Sequence, residues 1–141
     1  MAKVLYTAKA TVTGGRTEGH GVSDDGALDV QLRPPGDGGG TNPEQLFAVG
    51  YAACFEGAIG VVGRRERAEV GDVSIDSSVS LSPTEDRNFR LGVTLDVSLP
   101  SVEDPEVAEK IVRGAHLVCP YSNATRGNIE VALSVNGRAL S

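Results

Sequence analysis

Cysteine is scarce in this sequence of 141 residues, which has only Cys54 and Cys119, far apart and without a Cys-x-x-Cys motif. His116 lies close enough in sequence to Cys119 to share a metal ion, but two ligands do not make a zinc site, so no metal is expected. A structural disulfide is not expected in a reducing compartment. On composition alone, both cysteines are interpreted as buried residues without chemistry.

Positive charge is also in short supply. The chain has 13 Lys and Arg residues against 19 Asp and Glu residues, which gives a net charge of -6. Because phosphate backbones bind basic surfaces, this balance argues against a nucleic acid partner. The sequence shows no apolar signal-peptide region after Met1 and, by inspection, no apolar run long enough to span a bilayer. We therefore expect a cytoplasmic protein with no membrane partner.

The most informative stretch that is present runs over residues 41–58. Asn42 is a good helix N-cap, Pro43 suits the first helical position, and Glu44 complements the positive end of the helix dipole. The residues that follow are apolar on nearly every face and rich in glycine and alanine. A helix without a polar stripe is a buried helix. We therefore expect strands to surround it, with Cys54 as the nucleophilic side chain inside it.

Alternating apolar residues predict strands on both sides of this helix. The predicted strands cover residues 3–13, 28–32, 73–81, 89–99 and 129–135. A second helix is predicted from Pro105, after the N-cap Asp104, to a junction at Cys119 before Pro120. His116 is expected on its surface, where it complements the helix dipole. Strands and helices come in runs, so the sequence predicts an α+β fold with antiparallel sheet in a single domain over residues 1–141.

Several segments resemble the signature segments of the organic hydroperoxide resistance (Ohr) proteins, within the wider OsmC-like superfamily. These segments are residues 41–47, 51–55 and 118–128, with further similarity over residues 6–16 and 23–30. The resemblance spans almost the whole chain. Two separate cysteine motifs, each with its own flanking residues, make it far more specific than a lone glycine-rich pattern.

The resemblance implies an OsmC-like fold, in which antiparallel sheets wrap around buried central helices and two chains form an intertwined homodimer. It implies a thiol peroxidase that reduces organic hydroperoxides in the oxidative stress response. Cys54 would be the peroxidatic cysteine and Cys119 the resolving cysteine, with Arg16 and Glu44 as the activating pair. No bound cofactor is implied, because the external reductant would be dihydrolipoamide or a lipoylated protein.

A site of this kind must offset the energetic cost of ionising a buried cysteine. Burial of Cys54 in an apolar helix disfavours the thiolate, which is the form that attacks a peroxide. Arg16 would offset that cost, and Glu44 would orient its guanidinium. Glu44 and Cys54 are about 15 Å apart along a straight helix, so we predict a break at residues 50–53. The alternative is that Arg16 or Glu44 comes from the partner chain.

An apolar wall beside Cys54 would favour alkyl or fatty-acid hydroperoxides over hydrogen peroxide, because it buries the organic group. The candidate wall residues are Leu46, Phe47, Tyr51, Phe55 and Tyr121, which are equally interpretable as core or dimer interface. Two other functions stay open at this point. The cysteine pair could serve a redox sensor or disulfide reductase, or an OsmC-like dimer could bind a small hydrophobic ligand with Cys54 incidental.

Overall fold

The computed structural model describes residues 3–141. Within that range the elements are β1 (Ala10–Thr13), α1 (Gly15–Glu18), β2 (Gly19–Ser23), β3 (Asp29–Leu32), α2 (Pro43–Arg65), β4 (Ser74–Pro83), β5 (Phe89–Ser98), α3 (Pro105–Val118), α4 (Pro120–Thr125), β6 (Val131–Val135) and β7 (Arg138–Leu140). These elements confirm the α+β class. The chain divides into an N-terminal unit that ends at Leu46 and a C-terminal unit that begins at Phe47. A single domain over residues 1–141 stays a prediction.

The N-terminal unit contains a three-stranded antiparallel sheet in the order β1-β2-β3. The strand predicted over residues 3–13 is formed only from Ala10 onward. Ala10 pairs with Ser23, the last residue of β2, so residues 3–9 have no strand beside them to complete a ladder. Their apolar side chains are left exposed, including Leu5 at 96%.

The C-terminal unit contains a four-stranded sheet in the order β4-β5-β6-β7. The predicted hairpin of β4 and β5 is present, with antiparallel pairing from Ser74 opposite Ser98 to Pro83 opposite Phe89. β6 pairs with β5 in parallel, so this sheet is mixed, whereas the sequence predicts antiparallel sheet without this one parallel pair. The two helices that connect β5 to β6 allow the chain to return in the same direction. β7 was not predicted and adds a short antiparallel edge.

The core of the C-terminal unit lies between α2, α3 and the four-stranded sheet. Its largest fully buried apolar side chains are Tyr51, Phe55, Ile59, Leu95, Leu99, Ile111, Val112 and Val135. α2 and α3 approach closely at Gly114, where an added Cβ would lie 3.0 Å from the Val62 side chain. The glycine therefore permits the contact that fixes α3, and with it the junction at Cys119.

α2 is an unbroken helix of 23 residues, so the predicted break at residues 50–53 is wrong. Its N-cap is formed as expected, because the Asn42 side-chain oxygen accepts a hydrogen bond from the Gln45 backbone N–H at 2.9 Å. Gly50 costs a helix only about 1 kcal/mol relative to alanine. Packing of Tyr51 and Phe55 in the core outweighs that cost.

α2 is also long and apolar enough to cross a membrane by length and composition alone. The expectation that no run was long enough is therefore wrong on this measure. The core helix of a soluble protein passes the same test. Val49, Ala53 and Gly57 recur along one side of α2 and are exposed, with Val49 at 71%. This side of α2, which also carries the exposed Glu56, is therefore a largely apolar face that is not covered within the C-terminal unit.

Candidate active site

The two cysteines lie side by side in the C-terminal unit. Cys54 is half-buried on α2, and Cys119 is buried at the junction of α3 and α4. Pro120 ends the first helix and begins the second, as the sequence predicts, so Cys119 is the cap residue of both. The Cys119 side chain lies close enough to the Cys54 thiol to raise its pKa. Both cysteines are free thiols in this structure.

The surroundings of Cys54 disfavour its thiolate. Burial raises the pKa of the Cys54 thiol above its ordinary value, and the adjacent Cys119 side chain raises it further. The backbone N–H of Tyr121 acts in the opposite direction, because it donates to the sulfur and lowers the pKa. The balance is a raised pKa, so a reactive nucleophile at this position needs a further positive group beside the sulfur.

A buried network of hydroxyl groups holds α4 against α2 and α3. The Tyr51 hydroxyl lies 2.8 Å from Ser122 Oγ and 3.1 Å from Thr125 Oγ1. Ser122 Oγ also lies 2.9 Å from Nδ1 of His116. Burial and the nearby Arg126 lower the pKa of His116, which favours a neutral ring, and the tautomer of that ring sets which of Nδ1 and Ser122 Oγ donates.

The position of His116 corrects the expectation that it is a surface residue. It is partly buried and is tied to α4 through Ser122, and Arg126 donates to its backbone carbonyl at 2.7 Å. The sequence carries one signal for this arrangement. Ser122 and Thr125 are three residues apart after Pro120, a spacing that places both hydroxyls on one face of a helical turn.

We expect Tyr51→Phe to lower the free energy of unfolding by about 1–3 kcal/mol, because it leaves buried hydroxyl groups short of a partner. Urea denaturation measures the difference. Tyr121→Phe is the control, since the Tyr121 hydroxyl has no hydrogen-bond partner among residues 3–141. If both variants were as stable as the unmodified protein, the network would not stabilise α4.

An open pocket of about 650 Å³ lies beside the residues that follow Cys119, since Pro120 and Tyr121 line it while neither cysteine does. Phe47 and Tyr121 form one wall, with their ring centroids 5.8 Å apart in an edge-to-face arrangement. Phe47 precedes Cys54 by two helical turns and so lies on the same side of α2. Gly50 lets Tyr121 lie on the helix, because an added Cβ would be 2.8 Å from the Tyr121 hydroxyl.

The predicted wall residues therefore have different surroundings. Phe47 and Tyr121 line the pocket. Tyr51 and Phe55 have no exposed surface and belong to the core. Leu46 is the last residue of the N-terminal unit. The sequence does not predict the contribution of β5, whose first residue Phe89 lines the pocket and is 72% exposed. Alternating apolar residues predict a strand, but they do not indicate which end of that strand borders a cavity.

Arg16 and Glu44 form an ion pair in the N-terminal unit, in which the guanidinium donates to the carboxylate. Gly14 and Gly15, with φ of 79° and 72°, turn the chain into α1 and place Arg16 on that short helix. The side chain of Arg16 is 45% exposed and that of Glu44 is 17% exposed. The partnership of the two residues is thus present, while their action on a cysteine stays a prediction.

The part of the chain that the structure describes contains no set of metal ligands. No group of three or more His, Cys, Asp or Glu side chains over residues 3–141 is arranged to hold a metal ion. The chemical groups available at the site are two adjacent thiols, a backbone N–H and an apolar pocket.

Residues 36–134 match a protein family described as OsmC-like protein. The chain is 52% identical to the organic hydroperoxide resistance protein of Xanthomonas axonopodis pv. citri, over 94% of this chain and 96% of that protein. It is 49% identical to the organic hydroperoxide resistance protein OhrB of Bacillus subtilis, over 93% and 98% of the two chains.

Solved structures give the same result. The crystal structure of Bacillus subtilis OhrB superposes with a TM-score of 0.87 at 48% identity, and covers 94% of this chain and 99% of its own. An organic hydroperoxide resistance protein from Legionella pneumophila superposes with a TM-score of 0.88 at 50% identity, over 94% and 98% of the two chains.

Proposed function

The chain belongs to the organic hydroperoxide resistance (Ohr) proteins of the OsmC-like family, and on that premise we propose that it is a thiol peroxidase that reduces organic hydroperoxides to alcohols. Its fold is the OsmC-like fold of its structural neighbours. Its relatives are named for resistance to organic hydroperoxides. The observation that carries the peroxidase proposal is the adjacency of Cys54 and Cys119 beside an open apolar pocket.

In the first step, the Cys54 thiolate attacks one oxygen of the hydroperoxide in line with the O–O bond. The S–O bond forms as the O–O bond breaks, and the leaving alkoxide takes up a proton and departs as the alcohol. Cys54 is thereby oxidised to a sulfenic acid. The pocket wall of Phe47 and Tyr121 would bury the organic group, which favours organic hydroperoxides over hydrogen peroxide.

In the second step, the Cys119 thiol attacks the sulfenic sulfur, and the products are a Cys54–Cys119 disulfide and water. The closeness of the two side chains supports this step. An external dithiol then returns both cysteines to thiols by two exchange reactions and is itself oxidised to a disulfide. We propose a dihydrolipoyl group, on lipoamide or on a lipoylated protein, as that dithiol.

We propose that the Arg16–Glu44 pair of one chain activates Cys54 of a partner subunit in a homodimer. α2 is unbroken, so Glu44 and Cys54 of one chain are separated by ten residues, or about 15 Å. Arg16 is bonded to Glu44, and therefore the guanidinium is held near the start of the helix. The uncovered apolar face of α2 and the exposed apolar residues before β1 support a second chain as their cover.

Such an arrangement meets the need for a cation beside Cys54. An arginine about 4 Å from the sulfur would stabilise the thiolate by up to about 4 kcal/mol at an effective dielectric of about 20. This attraction acts against the burial that raises the pKa of the thiol. We propose that this dimer acts in the cytoplasm, where a reducing environment keeps both cysteines available as thiols.

The steady-state test follows consumption of tert-butyl hydroperoxide, with dihydrolipoamide as the reductant and hydrogen peroxide as the comparison substrate. The proposal predicts sustained turnover and a preference for the organic peroxide. A single oxidation of Cys54 without turnover would favour a redox sensor. No reaction of either cysteine would leave a hydrophobic-ligand-binding dimer as the remaining function.

We expect Cys119→Ser to stop the reaction after its first step. Without the second thiol, one equivalent of tert-butyl hydroperoxide oxidises Cys54 and no disulfide closes within the chain. In the absence of added dithiol, trapping with dimedone followed by mass spectrometry should find the adduct on Cys54. Cys54→Ser is the control and should give no adduct. Unchanged turnover in Cys119→Ser with dihydrolipoamide would rule out its role as the resolving cysteine.

A further inference from the structure

Among the residues that line the apolar pocket in the described part of the chain, one carries a charge, and it is a cation. Arg90 on β5 lies between Phe89 and Leu91, which line the same pocket. The chain as a whole carries a net charge of -6. A pocket edge with one arginine and no acidic residue therefore departs from the surface average and favours an anionic group on its ligand.

Arg90 is held in place and still has free donors. Its Nη1 donates to the backbone carbonyl of Asn128 at 2.5 Å, a contact between β5 and the loop before β6. Within residues 3–141, no carboxylate lies within ion-pair distance of it. A guanidinium has five N–H donors in a planar fork that matches a carboxylate, so most of these donors remain for a ligand.

The rest of the pocket is suited to a hydrocarbon chain. Its volume of about 650 Å³ falls in the range of ligand pockets. It extends from Tyr121, whose backbone N–H faces the Cys54 sulfur, to Arg90. Phe89 is 72% exposed and would be covered by a bound chain. A ligand that fills this space has an apolar body, one end near the cysteine and a negative charge at the other end.

We propose that Arg90 binds the carboxylate of an acyl hydroperoxide whose hydrocarbon chain lies in this pocket, and so makes the site selective for the free acid over its ester. This rests on the proposed peroxidase function and assigns to it a specificity-determining residue. The carboxylate and the peroxide group are placed at opposite ends of the pocket. Neutral alkyl hydroperoxides enter without using Arg90.

Binding of a ligand that cannot react separates this proposal from the peroxidase chemistry. The probes are decanoate, its methyl ester and decyl phosphate, with affinities measured by calorimetry on the reduced protein. We expect decanoate to bind about fivefold to tenfold more tightly than the ester, the gain given by one partly exposed charged hydrogen bond. Arg90→Gln should remove this preference and leave ester binding unchanged.

Arg87→Gln is the matched control, because Arg87 lies in the same β4–β5 hairpin but does not line the pocket. It should keep the preference for decanoate. Equal binding of acid and ester, or a preference that survives Arg90→Gln, would overturn the proposal. An Arg90-dependent preference for decyl phosphate without one for decanoate would also overturn it, in favour of a phosphate-headed lipid.

The kinetic counterpart uses a fatty-acid hydroperoxide and tert-butyl hydroperoxide as substrates. Arg90→Gln should raise KM about fivefold to tenfold for the acid and leave kcat, and both constants for tert-butyl hydroperoxide, unchanged. A loss of kcat with both substrates would contradict a role in specificity. If the protein shows no turnover with any peroxide, the proposed function fails, whereas the binding experiment still decides whether Arg90 binds a carboxylate.

Discussion

Cys54→Ser is expected to abolish the reduction of tert-butyl hydroperoxide, with a fall in turnover of about a thousandfold or more. The hydroxyl group of serine is not ionised near neutral pH and cannot replace the thiolate that attacks the O–O bond. The substitution is nearly isosteric and lies within the unbroken helix α2, so the fold should survive. Stopped-flow measurement of peroxide loss gives the rate.

Two comparisons make this result specific. The thermal stability of Cys54→Ser should match that of the unmodified protein, which excludes unfolding as the cause. Cys119→Ser should retain one rapid oxidation per chain, which shows that the loss concerns the nucleophile and not the pair in general. A Cys54→Ser protein that keeps a tenth or more of the turnover would assign the nucleophile elsewhere.

Arg16→Gln is expected to reduce the turnover by up to about a thousandfold, because it removes the cation that stabilises the thiolate. Glutamine keeps side-chain N–H donors but carries no charge. Arg65→Gln is the control, since Arg65 is an exposed cation at the opposite end of α2. The rate of Cys54 alkylation, measured in the unmodified protein and in both variants, reports directly on the fraction of Cys54 that is ionised.

Mixed dimers then decide which chain supplies the arginine. One chain carries Cys54→Ser and the other Arg16→Gln, with different tags so that the hybrid is purified. If the pair acts across the interface, one of the two sites is intact and the hybrid has about half the unmodified activity, while both parent variants are inactive. An inactive hybrid, beside an active tagged unmodified dimer, would place Arg16 in the same chain as the cysteine that it serves.

Local signals account for the parts of the fold that the sequence predicted well. Asn42 caps α2 and Asp104 caps α3, as their positions before proline indicate. Strict alternation predicted β5 and its hairpin with β4. The position of Cys119 between two helices follows from Pro120, since proline is excluded from helix interiors and favoured at helix starts. Each of these features is decided by a few neighbouring residues.

The features that were missed depend on contacts between distant residues. A break in α2 would let one chain bring Glu44 and Cys54 together, but packing along the helix keeps it continuous. Parallel pairing of β6 depends on where α3 and α4 return the chain. The sequence predicts His116 on the surface, because its position in the chain does not reveal its hydrogen bond to Ser122.

The candidate site was predicted from the resemblance to the Ohr proteins and not from residue types. That resemblance singles out Cys54, Cys119, Arg16 and Glu44, whereas composition alone indicates two buried cysteines without chemistry. The apolar pocket is not, because Phe47, Phe89 and Tyr121 come from three different elements and meet only in the folded chain. Arg90 likewise cannot be recognised as a binding residue from the sequence, because the pocket that it lines exists only in the folded chain.

A single-turnover reaction tests the central claim most directly. The fully reduced protein is mixed with one equivalent of tert-butyl hydroperoxide without added dithiol, and the alcohol, the free thiols and the cross-linked peptides are measured. The account predicts one tert-butanol formed and two thiols lost per chain, with a peptide pair joined through Cys54 and Cys119. Consumption of the peroxide without that disulfide, or a disulfide that joins other pairs, would contradict a two-cysteine peroxidase.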